Sequence, residues 1–193
     1  MDKNELVKLL DEIRPVLIEA ISAGVQEHVA SLRARGMDFD RYALLPGEFD
    51  NLHGIVAVST SLSDAPVPTE DSQYNYYRFS VDEWKNWDSD GFSAANHILA
   101  EANRCFATAH VGASFAMDEV QVAFADGLLD SILRGLEQAK QLGMFDGAAP
   151  FLVIWISDSS CEIISESVRR LNQPDVAADF MVEFGLDHLP LAD

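Results

Sequence analysis

The chain has 193 residues, 48% of them hydrophobic and 9% aromatic, and a formal net charge of −19 from 13 basic and 32 acidic side chains. A chain this long buries about 70% of its unfolded surface and needs neither a disulfide nor a metal to fold. Its charge repels phosphate backbones and anionic headgroups, which argues against nucleic acid and membrane as partners and favours a basic protein.

The first predicted element is a long helix at about 4–35. Leu6, Leu10, Ile13, Leu17, Ile21, Val25 and Val29 recur every three or four residues, one apolar face. Pro15 interrupts the pattern and predicts a kink or a later start. Gly36 stops it. Tyr42 to Leu45 reads as a strand ended by Pro46-Gly47, and Ile55 to Ser61 as its antiparallel hairpin partner. Tyr74 to Phe79 alternates aromatic and polar residues like a strand. Ser80 followed by Glu83 then reads as a capping box that opens a short helix. Helices follow at Phe92 to His110 and Met117 to Leu142. The continuous apolar run 151–157 reads as a central strand buried on both faces. Two short helices, Glu162 to Leu171 and Asp175 to Phe184, precede a loose tail from about 185.

About six helices and about four strands, with an early hairpin and a late strand, predict one α+β domain over 1–193 with a small, mostly antiparallel sheet. The longest apolar block is too short to span a bilayer, and the N-terminus has no signal-peptide pattern, so a soluble cytoplasmic protein is expected. Cys105 and Cys161 lie outside any CxxC spacing and read as buried free thiols.

The acidity is uneven. Residues 1–36 carry five basic and six acidic groups, 37–90 three against eleven, and 150–193 two against eight. Solubility is the plain reading of this excess. The sharper one is a negative face, including Asp64, Glu70, Asp71, Asp88 and Asp90, beside the segment Tyr74 to Trp87. That segment holds three of the four tyrosines and two of the three tryptophans. Tyr74, Tyr76, Arg78, Trp84 and Trp87, with Asp71, Asp88 and Asp90, are therefore the candidate protein-binding residues. The competing reading puts the rings in the core and pairs Arg78 with Asp82 or Glu83.

A second candidate site is Asp158, Ser160 and Cys161, at a strand end that opens a helix, where α/β folds place ligands and nucleophiles. A lowered thiol pKa at Cys161 would suit it. Against it, there is no GxSxG, no histidine close in sequence, and Asp158 or Ser159 serves equally as a helix cap. The five histidines show no HxxxH or HExxH spacing, so no metal is expected. Asp126 and Asp130 share a helix face, more often a solvated face than a cation site. Without GxGxxG or a Walker motif, no cofactor is implied.

Four segments together resemble an uncharacterised bacterial family, domain of unknown function 4303. They are Tyr42-Ala43-Leu44, YYRFSVDEW at 76–84, MFDG at 144–147 leading to FLVIWISD at 151–158, and SVRRLN at 167–172. They lie within about 40–184, and at Phe79 the family commonly has Trp. The resemblance implies an α+β fold and a cytoplasmic domain, and brings no catalytic residues. Its size and acidity are similar to those of immunity-like proteins that neutralise a toxin. The reading that follows is a non-catalytic protein-binding module, immunity-like, with an acidic face for a basic partner. The alternative is a small hydrolase-type enzyme with its site at the end of 151–157.

Overall fold

The computed structural model describes residues 1–61, 63, 67–112, 116–157, 159 and 161–186. Helix α1 (Lys3–Ala34) begins at a capping box. The Asp2 carboxylate accepts the Asn4 and Glu5 amides at 2.8 and 2.9 Å, and Glu5 accepts the Asp2 amide at 2.8 Å. These bonds satisfy donors that a helix start otherwise leaves unpaired. The predicted apolar face is buried, apart from a half-buried Ile13, and the helix runs unbroken through an exposed Pro15. α3 (Ser93–Ala109) and α4 (Glu119–Gln141) pack against α1. At Gly135 of α4 a Cβ would stand 2.5 Å from Ile21 Cβ, so only glycine lets the two helices approach this closely.

The sheet is mixed, in the order β3-β2-β1-β4. β1 (Arg41–Glu48) and β2 (Asn51–Thr60) form the predicted hairpin. β1 continues past Pro46-Gly47 because the register shifts between Leu45 and Gly47, a bulge. β3 (Asn86–Asp88) is antiparallel to β2, and β4 (Phe151–Ile154) is parallel to β1. With its six α-helices and this four-stranded sheet, the described chain is α+β.

Two expectations are corrected here. Tyr74–Phe79 is the helix α2, not a strand, and Ser80 makes no side-chain cap bond; only a single 3₁₀ turn, Val81–Glu83, follows it. Over six residues an aromatic alternation also fits an i, i+3 pattern, and tertiary contact decides. Phe79 is fully buried against Phe151 at 4.9 Å and Phe180 at 5.5 Å. The sheet position is taken by β3 instead. Second, β4 is an edge strand of four residues, not a central one. It is nonetheless buried throughout, because α5 (Glu162–Leu171) lies along its open edge. Asn172 accepts the Leu152 amide at 2.8 Å and donates to the Leu152 carbonyl at 2.7 Å, while Ser167 accepts the Ile154 amide at 3.0 Å. Side chains thus occupy the place of a fifth strand.

The second face of the sheet carries α2, the 3₁₀ turn and α6 (Pro174–Glu183), locked by Phe79, Trp84, Phe151 and Phe180. Trp155, just beyond β4, is 8% exposed. The predicted tail beyond residue 186 lies outside the described residues. Cys105 and Cys161 are free thiols, half-buried and not buried as predicted.

Inside the α1 face, the Tyr42 hydroxyl pairs with His28 Nδ1 at 2.9 Å, both residues being almost fully buried. His28 Nε2 has no hydrogen bond and stands 3.8 Å from Asp88. Burial lowers the His28 pKa below its ordinary 6.5, with Arg35 assisting and Asp88 and Asp90 opposing. As pH falls, the unfolded chain takes this proton first. The resulting stability is therefore full above the unfolded value and is lost as pH drops toward the folded one. The urea midpoint is expected to fall between about pH 7.5 and 5.5, and the His28→Gln variant to be flat over the same window. An equal fall in both would remove His28 as the cause. Asp88 acts in a separate, more acidic window. Its carboxyl is held below 3.8, first by the Asp90 backbone amide and then by His28 and Arg35.

Candidate functional site

β1 and β4 are parallel, so their carboxyl ends lie side by side. A cavity of about 610 Å³ opens there, walled by Leu45, Glu48, Phe49, His53, Trp155 and Ser157. The bulge builds one wall. Gly47 has φ +110°, and a Cβ on it would meet the Asn51 carbonyl at 2.6 Å and His53 Nδ1 at 2.9 Å. His53 Nδ1 donates to the Asn51 carbonyl at 2.9 Å, which leaves Nε2 of the neutral ring as an acceptor. Behind the opposite wall is Asp82 of the 3₁₀ turn. It accepts the Trp155 indole N–H at 3.2 Å and the Ser157 hydroxyl at 2.7 Å.

Of the predicted strand-end residues, Asp158 and Ser160 lie outside the described residues. Cys161 is the N-cap of α5, and its amide donates to Ser159 Oγ at 3.0 Å. Its thiol is pushed up, not down: burial dominates, and Asp126 and Glu162 add to it against the Ile163 and Glu162 amides. Burial thus acts against the lowered thiol pKa that would have suited a strand-end nucleophile. Among the described residues no histidine is hydrogen-bonded to a serine or cysteine. Asp126 and Asp130 do not act as a pair. Asp130 engages Arg134 at 2.8 Å, and Glu137 engages Arg170 at 2.6 Å. Among the described residues no group of three or more His, Cys, Asp or Glu could hold a metal.

The aromatic segment divides. Trp84 is a core residue, 4% exposed, beside Phe151 and under Arg41. Trp87 is 48% exposed, and its indole donates to the Trp84 carbonyl at 2.8 Å, which fixes the ring at the sheet edge. Tyr76 is 42% exposed and meets Tyr77 edge-on, while Tyr74 is half-buried. Arg78 pairs with Asp179 of α6 at 3.4 Å and covers Phe79, rather than pairing with Asp82 or Glu83; Asp82 is occupied by Trp155 and Ser157. Asp88 is half-buried against Arg35 at 3.4 Å. Asp71 accepts the Gln73 amide and remains exposed, as does Asp90. What faces solvent is thus Tyr76 and Trp87 with Asp71, Asp90 and their neighbours Glu70 and Glu83.

The cations are largely consumed within the chain. Lys3, Arg14, Arg35, Arg41, Arg78, Arg104, Arg134 and Arg170 make internal ion pairs. Arg33 and Lys140 bind backbone carbonyls. No helix among the described residues is long and apolar enough to cross a membrane. Sequence reasoning missed Asp82, Gly47 and His53. The only local signal was Pro46-Gly47, which marked the turn but not the wall it builds.

These features define an α+β protein with an open cleft at the carboxyl ends of the parallel strand pair β1 and β4, and with Tyr76, Trp87 and several carboxylates of the 70–90 segment exposed. The chain matches the family described as Domain of unknown function (DUF4303) over residues 17–173, most of its length, and belongs to it. No curated protein and no solved structure matches it.

Proposed function

We propose that this protein is a non-catalytic binding module, immunity-like, that takes a basic protein on an acidic face flanked by Tyr76 and Trp87. The carrying observation is that eight of the 13 cations are spent on internal pairs among the described residues, so the −19 charge is expressed as unneutralised surface carboxylate. Such a surface accelerates encounter with a basic partner, and two half-exposed rings, Trp87 held by its bond to the Trp84 carbonyl and Tyr76 against Tyr77, supply anchors that slow its release. The test is a photo-crosslinking residue placed at position 76 or 87, and at exposed position 19 on α1 as control. Capture of one basic protein from positions 76 and 87 but not from 19 is expected. Equal capture from all three contradicts the reading.

A second reading, a small hydrolase-type enzyme working at the end of β4, is favoured by the 610 Å³ cleft and by the bond between its lining residue Ser157 and Asp82 behind the wall. Ester hydrolysis by the wild type that disappears in Ser157→Ala would move the assignment there.

A further inference from the structure

At the opposite end of the parallel pair, around the first residues of β1 and β4, lies a smaller cavity of about 220 Å³. Its charged lining is unusual for so acidic a chain. Arg41, Arg78 and Lys140 all reach it, three of only 13 basic side chains, against one lining carboxylate, Asp40. We propose that this cavity binds a small organic oxyanion, a carboxylate or phosphate carried on a compact apolar body.

The donors there are incompletely used. Arg41 is 2% exposed and spends three of its five N–H groups, on Asp40 at 3.2 Å, the Tyr77 carbonyl at 2.9 Å and the Ser61 carbonyl at 2.7 Å. Among the described residues Arg78 makes a single long bond, to Asp179 at 3.4 Å. Lys140 donates one hydrogen bond to the Leu171 carbonyl at 2.7 Å and has no ion pair among the described residues. Asp40 and Asp179 offset two of the three positive charges, and Lys140 is left over. Burial is the main cause that lowers the Arg41 pKa, and the Arg78 charge acts in the same direction while Asp40 opposes it. Arg41 and Arg78 both line the cavity, and a bound anion would be attracted by both.

The backbone adds to this. The ten-residue helix α6 starts at Gln173 with no side-chain cap, and Gln173 and Val176 both line the cavity. Pro174 at the helix start has no N–H and Asp175 adds a carboxylate to the first turn, so the positive contribution there comes from the Asp175 and Val176 amides and the dipole. Beside the polar Asp40, Asn172 and Gln173, the wall has an apolar part, Ala149, Pro150, Phe151, Leu171 and Val176, which gives a short hydrocarbon body something to contact. The chain's overall negative field opposes anion entry, so a site that works against it must rely on these near contacts.

The test is an NMR titration of the full chain with two probes, inorganic phosphate and isobutyrate, against sodium chloride at matched ionic strength. The probes separate a phosphate from a carboxylate ligand. A saturating shift of the Gln173 and Val176 amides is expected with at least one probe, and not with chloride. Lys140→Met and Arg78→Gln should each weaken it about tenfold or more, as loss of a charged hydrogen bond does. His53→Gln, at the other end of the sheet, should leave it unchanged. No saturation up to about 20 mM of either probe overturns the proposal. So does binding that both cation variants leave intact, since the anion then sits elsewhere. The wild-type titration stands even if a variant fails to fold. None of these outcomes bears on the acidic face.

Discussion

Phe151→Ala should destabilise the fold by about 3–5 kcal/mol, the range for removing a large buried aromatic. Phe151 is 5% exposed at the start of β4, and its ring meets Phe79 at 4.9 Å, Phe180 at 5.8 Å and Trp84 at 6.3 Å. Those three rings come from α2, α6 and the segment between the 3₁₀ turn and β3. Truncation leaves a cavity where three separate pieces of chain meet, and none can collapse into it without losing contact with the sheet. Phe151→Leu keeps most of the volume and should cost less than about 1.5 kcal/mol. Urea unfolding measures both. A loss under about 1 kcal/mol for the alanine variant would mean that the aromatic cluster does not hold this layer on the sheet.

Asn172→Ala is the second large effect, about 3 kcal/mol, from a different cause. The amide group makes three bonds, to Leu152 N, Leu152 O and Val168 O, at 2.8, 2.7 and 2.9 Å. Two of them satisfy backbone groups of a buried edge strand, and each orphaned group costs about 1–3 kcal/mol. Asn172→Asp distinguishes the parts, because it keeps the acceptor for the Leu152 amide and loses both donations. Hydrogen exchange reads the site directly. The Leu152 amide should lose protection in the alanine variant beyond the global loss of stability. If its protection falls only with global stability, Asn172 is not the edge cap.

Both residues show where sequence reading reached and where it stopped. The three- and four-residue spacing of Leu6 to Val29 located α1 because one face of a long helix repeats often enough to be unmistakable. The run at 151–157 gave a buried strand, but its position in the sheet had no local signature. A continuous apolar run results equally from burial between two strands and from burial under α5. The deciding residues, Ser167 and Asn172, lie beyond the strand. Tyr74 to Phe79 is too short for period two and period three to be separated, and β3 is only three residues long. In the candidate site, Glu48 and His53 come from the hairpin, while Asp82 and Ser157 are 75 positions apart. No spacing rule joins groups that only the sheet brings together. The uneven acidity was legible from the start, because charge needs no geometry to be counted. Which carboxylates stay in solvent was not, and Asp88 shows why: Arg35 of the far end of α1 folds back onto it.

The central claim is that surface carboxylates beside Tyr76 and Trp87 steer a basic protein. Glu70, Glu83 and Asp90 are the ones to reverse, since all three are exposed, whereas Asp71 holds the Gln73 amide and Asp88 holds Arg35. The decisive measurement is the association rate of the crosslinked partner with wild type and with the Glu70→Lys, Glu83→Lys, Asp90→Lys triple variant, across ionic strength. The wild-type rate should fall steeply with salt, and the variant should associate about tenfold or more slowly at low salt with a flatter dependence and a nearly unchanged melting temperature. Equal rates and equal salt slopes for the two proteins would contradict the account and leave the charge a solubility feature.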